Sequence, residues 1–184
     1  MTFAFTPIEA DDPRVGLVVA DLRERQRAEL LASGERSDWR AIGGEIARLA
    51  TSWRAPAHRV WLIEDDGAPV AVALFVFLSA SEVQAGFLAT RRWQAGVPRA
   101  FFRWYARDMA AWVDGLHVRA TSVDIYEPPD APADVGWLKA LGFAEADRIL
   151  KAGPLGWTRV LFVRPLGGAP RRRQVANSDI VLSR

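Results

Sequence analysis

Gly136-Trp137-Leu138-Lys139-Ala140-Leu141-Gly142-Phe143 reads as a short helix stopped by glycine, with a phenylalanine turning back into the core. Glycine just past the last helical residue adopts the left-handed conformation without a Cβ clash, so Gly142 is expected to end the helix and Phe143 to be buried. Downstream, Arg148-Ile149-Leu150-Lys151 and Trp157-Thr158-Arg159-Val160-Leu161-Phe162-Val163 read as two closing strands. They are joined through Gly153-Pro154-Leu155-Gly156, a run of turn formers.

Working upstream, Val118 to Tyr126 is rich in β-branched residues and reads as a strand. Glu127-Pro128-Pro129-Asp130 is a loop, and Asp130 or Ala131 with Pro132 is expected to start the Trp137 helix. Pro98 is expected to open a strong helix with Phe101, Tyr105, Met109 and Trp112 near one side. Arg59 to Glu64, Pro69 to Leu78 and Val83 to Thr90 read as strands, with Asp65-Asp66-Gly67 as a hairpin turn between the first two. Phe3 to Ile8 reads as an edge strand because of Pro7. Asp11-Asp12-Pro13 starts one helix, Arg23 to Leu31 continues as a second, and Ser37-Asp38 caps a third carrying Trp39, Ile42, Ile46 and Leu49 on one face. The order is β, helices, β-β-β, helix, β, helix, β-β, an α+β layout without internal repeats.

The chain has 184 residues, half of them hydrophobic and 25% charged, which suits one domain with a real core. It has no cysteine, so disulfides and thiolate chemistry are excluded, and with two histidines, His58 and His117, a histidine-rich metal site is not expected. A net charge of +2 is too mild to argue nucleic-acid binding for the whole domain. The run from Pro69 to Ala80 is too short to span a bilayer, so no membrane association is expected. The start of the chain lacks a basic region followed by an apolar core, so cytoplasmic synthesis is expected. From Leu166 the composition changes: Gly167, Gly168 and Pro170 precede Arg171-Arg172-Arg173 and a polar end. The division is therefore a domain over 1–165 and a basic, extended tail over 166–184, expected to dock on another protein chain through Arg171–Arg173 and Ile180-Val181-Leu182.

The element order and Leu141-Gly142-Phe143 resemble the GNAT acyltransferase superfamily from Phe3 to Pro165. The resemblance implies a twisted, mainly antiparallel sheet with helices on both faces. Two further patches are similar to a narrower branch, the acetyltransferase-like internal virion proteins of short-tailed phages. One is Leu22-Arg23-Glu24-Arg25-Gln26-Arg27-Ala28-Glu29-Leu30, with Gln26 where that branch has aspartate. The other is Trp137-Leu138 directly before the glycine-stopped turn.

What the resemblance implies about chemistry is acyl transfer from acetyl-CoA to an amine, with no metal. Acetyl-CoA would lie along Phe87, Leu88 and Ala89, with its pyrophosphate at a helix start that holds Arg91, Arg92, Gly96, Arg99 and Ala100. Orphan amides and the helix dipole favour an anion there. The family's loop has Arg or Gln, two residues, Gly, one residue, then Gly or Ala. Here Gly96 stands alone and Pro98 removes an amide donor, so the signature is degenerate, with Arg91, Arg92 and Arg99 as compensating cations or as a solvated rim. Leu138 stands where the family commonly has tyrosine. Tyr126 is the substitute as donor, Glu127 or Asp124 as base, and Glu29 and Glu64 are carboxylates on the acceptor side.

Each of these carboxylates also reads as surface charge, and the tryptophans read first as packing. Arg99, Arg103 and Arg107 form a basic helix stripe with no exposed aromatics interleaved, so nucleic acid is not the expected partner. Besides a nucleic-acid-binding module that would use the basic tail, two functions stay open. One is an acetyl-CoA-dependent N-acyltransferase. The other is a non-catalytic phage virion or assembly protein, located in the virion and bound to virion proteins through the tail, that reuses the fold.

Overall fold

A computed structural model describes residues 2–8, 12–34, 38, 41–42, 45, 59–93, 96–115 and 118–166. Seven strands form one mixed sheet in the order β1-β2-β3-β4-β5-β7-β6. The strands are β1 (Phe3–Ile8), β2 (Arg59–Asp65), β3 (Ala68–Ser79), β4 (Glu82–Ala89), β5 (Ala120–Glu127), β6 (Ala144–Ala152) and β7 (Trp157–Pro165). All neighbours are antiparallel except β4 and β5. Pro7 sits on the edge strand β1, where its missing N–H leaves no ladder bond unmade inside the sheet.

Helices α1 (Pro13–Ala20) and α2 (Glu24–Ala32) precede β2. Asp12 caps α1 by accepting from Arg14 N at 2.9 Å, Pro13 stands at the first helical position, and Val15, Val18 and Val19 are buried. The expected third helix falls mostly outside the described residues; Ala41, Ile42 and Glu45 are helical, with Ile42 N bonded to Asp38 O. The β2–β3 turn has Asp66 at φ 48° and Gly67 at φ 78°, the paired left-handed residues that match the twist of a hairpin.

Between β4 and β5 the chain forms α3 (Gly96–Trp104), a π-helical turn (Tyr105–Met109) and α4 (Ala110–Asp114). Helix α3 starts at Gly96, so Pro98 lies within the first turn and does not open it. Phe101, Tyr105 and Met109 are buried on the expected side.

Helix α5 (Gly136–Ala140) is a single turn. Residues 131–135 are not helical, so the expected start near Asp130 is corrected to Gly136. The helix ends as expected. Gly142 has φ 86°, its N–H reaches Lys139 O, and Phe143 N–H reaches Leu138 O, each at 3.0 Å. Phe143 is buried.

Two apolar clusters cover the two faces of the sheet. One joins Trp61, Phe75, Trp104, Met109, Leu138 and Phe162 under α3 to α5, with Trp61 and Trp104 rings 5.8 Å apart. The other joins Val15, Val18, Leu22, Leu62 and Leu88 under α1. Leu166 is buried in the first cluster and its N–H bonds Arg119 O, so the core includes at least one residue past the expected boundary at 165. The tail residues 167–184 lie outside the described residues.

Candidate active site

The parallel pairing of β4 with β5 is confined to Glu82–Gln84 against Ala120–Ser122. Beyond it Ala85–Ala89 and Val123–Glu127 diverge, because β4 stays on β3 while β5 follows β7. A splay opens in the middle of the sheet. Side chains alternate between faces along a strand, so each face of the splay has its own wall.

On the α3 face lies a cavity of about 730 Å³. Ala73, Phe75, Ala85 and Phe87 form its strand wall, Phe101 and Tyr105 come from the long helix, and Leu138, Leu141 and Phe143 come from α5 and its stop. A second cavity of about 350 Å³ opens on the opposite face between α2, Leu74, Gln84 and Tyr126. The two share Gln26, Glu29, Ala85, Gly86, Phe87 and Asp124. They therefore meet in the splay.

Helix α2 crosses this opening. Gln26, which is 5% exposed, accepts from Ala89 N at 2.6 Å through Oε1 and donates to Phe87 O at 2.9 Å through Nε2. Arg23 N–H donates to Ala89 O at 3.1 Å, and Arg91 N–H to Asp21 O at 3.1 Å. These β4 peptide groups point away from β3, since Thr90 N bonds Val70 O on the other side. Residues 21–23, with Leu22 bridged to Thr90, and the Gln26 side chain at the start of α2 thus occupy the free edge of β4. On the β5 side Arg25 donates to Tyr126 O at 2.8 Å and lies over the Trp157 ring at 5.4 Å.

Glu29 lies where the two cavities meet. Burial pushes its carboxyl above the usual glutamate range, and the 2.8 Å bond from Arg25 Nε pulls part of the way back. Asp124 is held by Arg159 at 2.8 and 2.9 Å and by Gln84 Nε2 at 2.9 Å. The expectation of a solvent-facing Asp124 is corrected, because its charge is spent on that guanidinium.

Glu127 is 8% exposed, accepts from Arg148 at 2.9 Å and from Ala133 N at 3.3 Å, and lines neither cavity. Glu64 pairs with Arg14 at 3.2 Å, also outside both cavities. Tyr126 lines the second cavity.

Of the residues expected to hold the cofactor, Phe87 lines both cavities, Leu88 lines the second and belongs to the cluster under α1, and Ala100 is buried. Ala89 contributes its peptide edge. Arg91 is exposed and paired with Asp21 at 2.7 Å; Arg92 and Arg99 are exposed. Gly96 is the first residue of α3. The sequence reading missed Gln26 as an edge partner, and Arg23 and Tyr105 as cavity residues. Helical spacing had marked Tyr105 only as core.

No family profile matches this sequence, and no curated protein matches it. Solved structures do match. The ribosomal-protein-S18-alanine N-acetyltransferase of Escherichia coli superposes with a TM-score of 0.64 at 11% identity, covering 94% of this chain and 99% of its own. The spermidine N-acetyltransferase of Vibrio cholerae, solved with CoA and spermine, gives 0.64 at 10% identity, with 89% and 95% covered. A GNAT-family acetyltransferase of Streptococcus pneumoniae gives 0.62 at 11% identity, with 90% and 100% covered. At such identities the likeness is one of architecture. Its mixed seven-stranded sheet, split between β4 and β5 and flanked by helices on both faces, has the fold of the GNAT N-acetyltransferases.

Proposed function

We propose that the chain takes an acyl-CoA thioester into the cavity on the α3 face and transfers its acyl group to an amine that enters from the α2 face. The observation that carries this reading is the meeting of two cavities, one on each face, at Ala85-Gly86-Phe87. Two reactants brought from opposite sides to one gap gain the orientation that a bimolecular step otherwise lacks. The solved neighbours named above as N-acetyltransferases, one of them holding CoA, support it.

The residues fit such a ligand in shape. Phe87, Phe101, Leu138 and Phe143 give an apolar wall that excludes water. The edge of β4 fits an extended chain bearing amides, since Gln26 already pairs there as an amide does. A bound thioester supplies the activated acyl group. Glu29 takes the proton that the amine sheds as its nitrogen bonds the acyl carbon; desolvation raises its half-buried carboxyl, which makes it the stronger proton acceptor. Tyr105, which lines the thioester cavity and whose hydroxyl accepts from Arg164 Nη1 at 3.4 Å, gives a proton to the sulfur as the C–S bond breaks.

One observation favours a second reading, in which the fold serves assembly without catalysis. Gln26 satisfies Phe87 O and Ala89 N from inside the chain, so the edge needs no ligand to complete it. Its narrower form is a phage virion component bound through the tail. Calorimetric titration with acetyl-CoA separates the two, using wild type and Gln26→Ala. Acyl transfer expects binding by the wild type and tighter binding by Gln26→Ala, whose freed edge the ligand's amides can take. Absence of binding by both proteins sinks the acyl-CoA reading and leaves the assembly reading, which mass spectrometry of purified particles then checks.

A further inference from the structure

The charged residues that line the cavity on the α3 face are accounted for, with one exception. Arg25 pairs with Glu29 at 2.8 Å. Asp124 is held by Arg159 at 2.8 Å. Asp134 accepts from Gly136 N at 3.0 Å. Arg23 remains. Its Nε is buried and has no hydrogen-bond partner among the described residues, yet its side chain lines the cavity.

Local structure gives that side chain no task. Arg23 is the N-cap residue of α2 but makes no side-chain capping bond. Its link to the sheet is the backbone N–H on Ala89 O, which any residue except proline would make. Arg23 is half-buried, and a guanidinium N–H held out of water without an acceptor opposes folding unless an anion completes it. Burial lowers its pKa, partly offset by the field of Glu29. The planar fork of arginine matches the oxygens of phosphate and carboxylate, two N–H bonds at a time.

We propose that Arg23 is the anion-binding residue of this cavity, and that the cavity's ligand presents a phosphate or carboxylate group to its guanidinium. The proposal rests on the acyl-transfer reading for the use of the cavity and is tested separately from it. The shared chemistry is a planar or tetrahedral oxyanion. Its source is either the diphosphate of a nucleotide-type acyl carrier or a carboxylate on the acyl or acceptor group.

The test is calorimetric titration of the full chain with pyrophosphate, succinate and acetyl-CoA, for wild type, Arg23→Gln and Arg23→Lys, with a thermal melt of each unliganded protein. Wild type is expected to bind at least one of the two simple anions. Arg23→Gln should weaken that binding by about tenfold or more, the scale of a charged hydrogen bond. Arg23→Lys, which keeps charge and loses the fork, should fall between. Dependence on Arg23 for pyrophosphate identifies the phosphate source, and dependence for succinate the carboxylate source.

Unliganded Arg23→Gln should melt at or above the wild-type temperature, because an unpaired charge is removed. A lower melting temperature would make Arg23 structural and overturn the proposal. So would failure of both simple anions to bind wild type, or equal binding by wild type and Arg23→Gln. Acetyl-CoA bound equally by all three proteins leaves the acyl-CoA reading standing and this proposal fallen. Arg23-dependent anion binding without acetyl-CoA binding does the reverse.

Discussion

Glu29 shows how one residue's environment decides what it can do. Its carboxyl is drawn from water by the walls of both cavities, so the charged form is disfavoured, and Arg25 only partly offsets this. A carboxyl whose folded pKa is raised gives its full stabilising contribution below the ordinary glutamate pKa. That contribution is lost as pH rises through the raised value, because the folded state must then ionise a desolvated group that the unfolded chain ionises more easily. Glu29→Gln is therefore expected to flatten the fall in stability on going from the ordinary glutamate range up toward neutral pH. Urea denaturation of wild type and variant across that range reads it out. A wild-type curve with the opposite slope contribution, stability gained from Glu29 as pH rises, would show that the Arg25 pairing dominates.

At the scale of elements, two left-handed glycines end or join them for different reasons. Gly142, at φ 86°, stops α5; a Cβ there would come within 3.7 Å of the Arg164 side chain, an ordinary contact. Gly142→Ala is expected to cost only the left-handed backbone penalty, about 1–2 kcal/mol. Gly153, at φ 69°, lies in the β6–β7 turn, and a Cβ there would overlap the carbonyl oxygen of Ala32 at the end of α2. Gly153→Ala must pay the same penalty and also lift the hairpin from α2. It should be the more destabilising of the pair in chemical denaturation; equal losses would mean that the turn and helix end separate freely. The turn at 153–156 was legible as a turn. That it abuts α2 was not, because the residues in contact are more than a hundred positions apart.

For the molecule as a whole, the described core extends through Leu166. Leu166 is 9% exposed and belongs to the cluster under α3 to α5, and its N–H closes on Arg119 O at 2.9 Å. A chain truncated after Leu166 is expected to melt with the full-length protein. One truncated after Pro165 should lose about 1.5–3 kcal/mol, the value of burying one leucine side chain. Differential scanning calorimetry of the two truncations decides this. Loss of folding in the 1–166 chain would place part of the tail in the core. Assembly with a partner chain, expected of the tail from its triple arginine and its Ile180-Val181-Leu182 anchor, is read by pull-down with the full-length protein and the chain truncated after Leu166.

Local chemistry alone was enough for the stop at Gly142, the Asp66-Gly67 hairpin, the Asp12-Pro13 helix start and the burial of Phe143. Each depends on φ, on a cap or on alternation within a few residues. It was not enough for the start of α5, where Pro132 suggested a helix that the chain begins only at Gly136. Nor did it show the π-helical turn at Tyr105–Met109, which no spacing of apolar residues marks. The fold family was within reach because the order of elements is a property of the chain.

The site was not legible in the same way. Gln26 reaches Ala89 across 63 positions, and Arg159 neutralises Asp124 across 35. Whether a carboxylate is a base or half of an ion pair depends on what the sheet brings beside it. Only the divergence of β4 from β5 decided which charges face a cavity, which are paired, and which, at Arg23, keeps a buried Nε with no hydrogen-bond partner among the described residues.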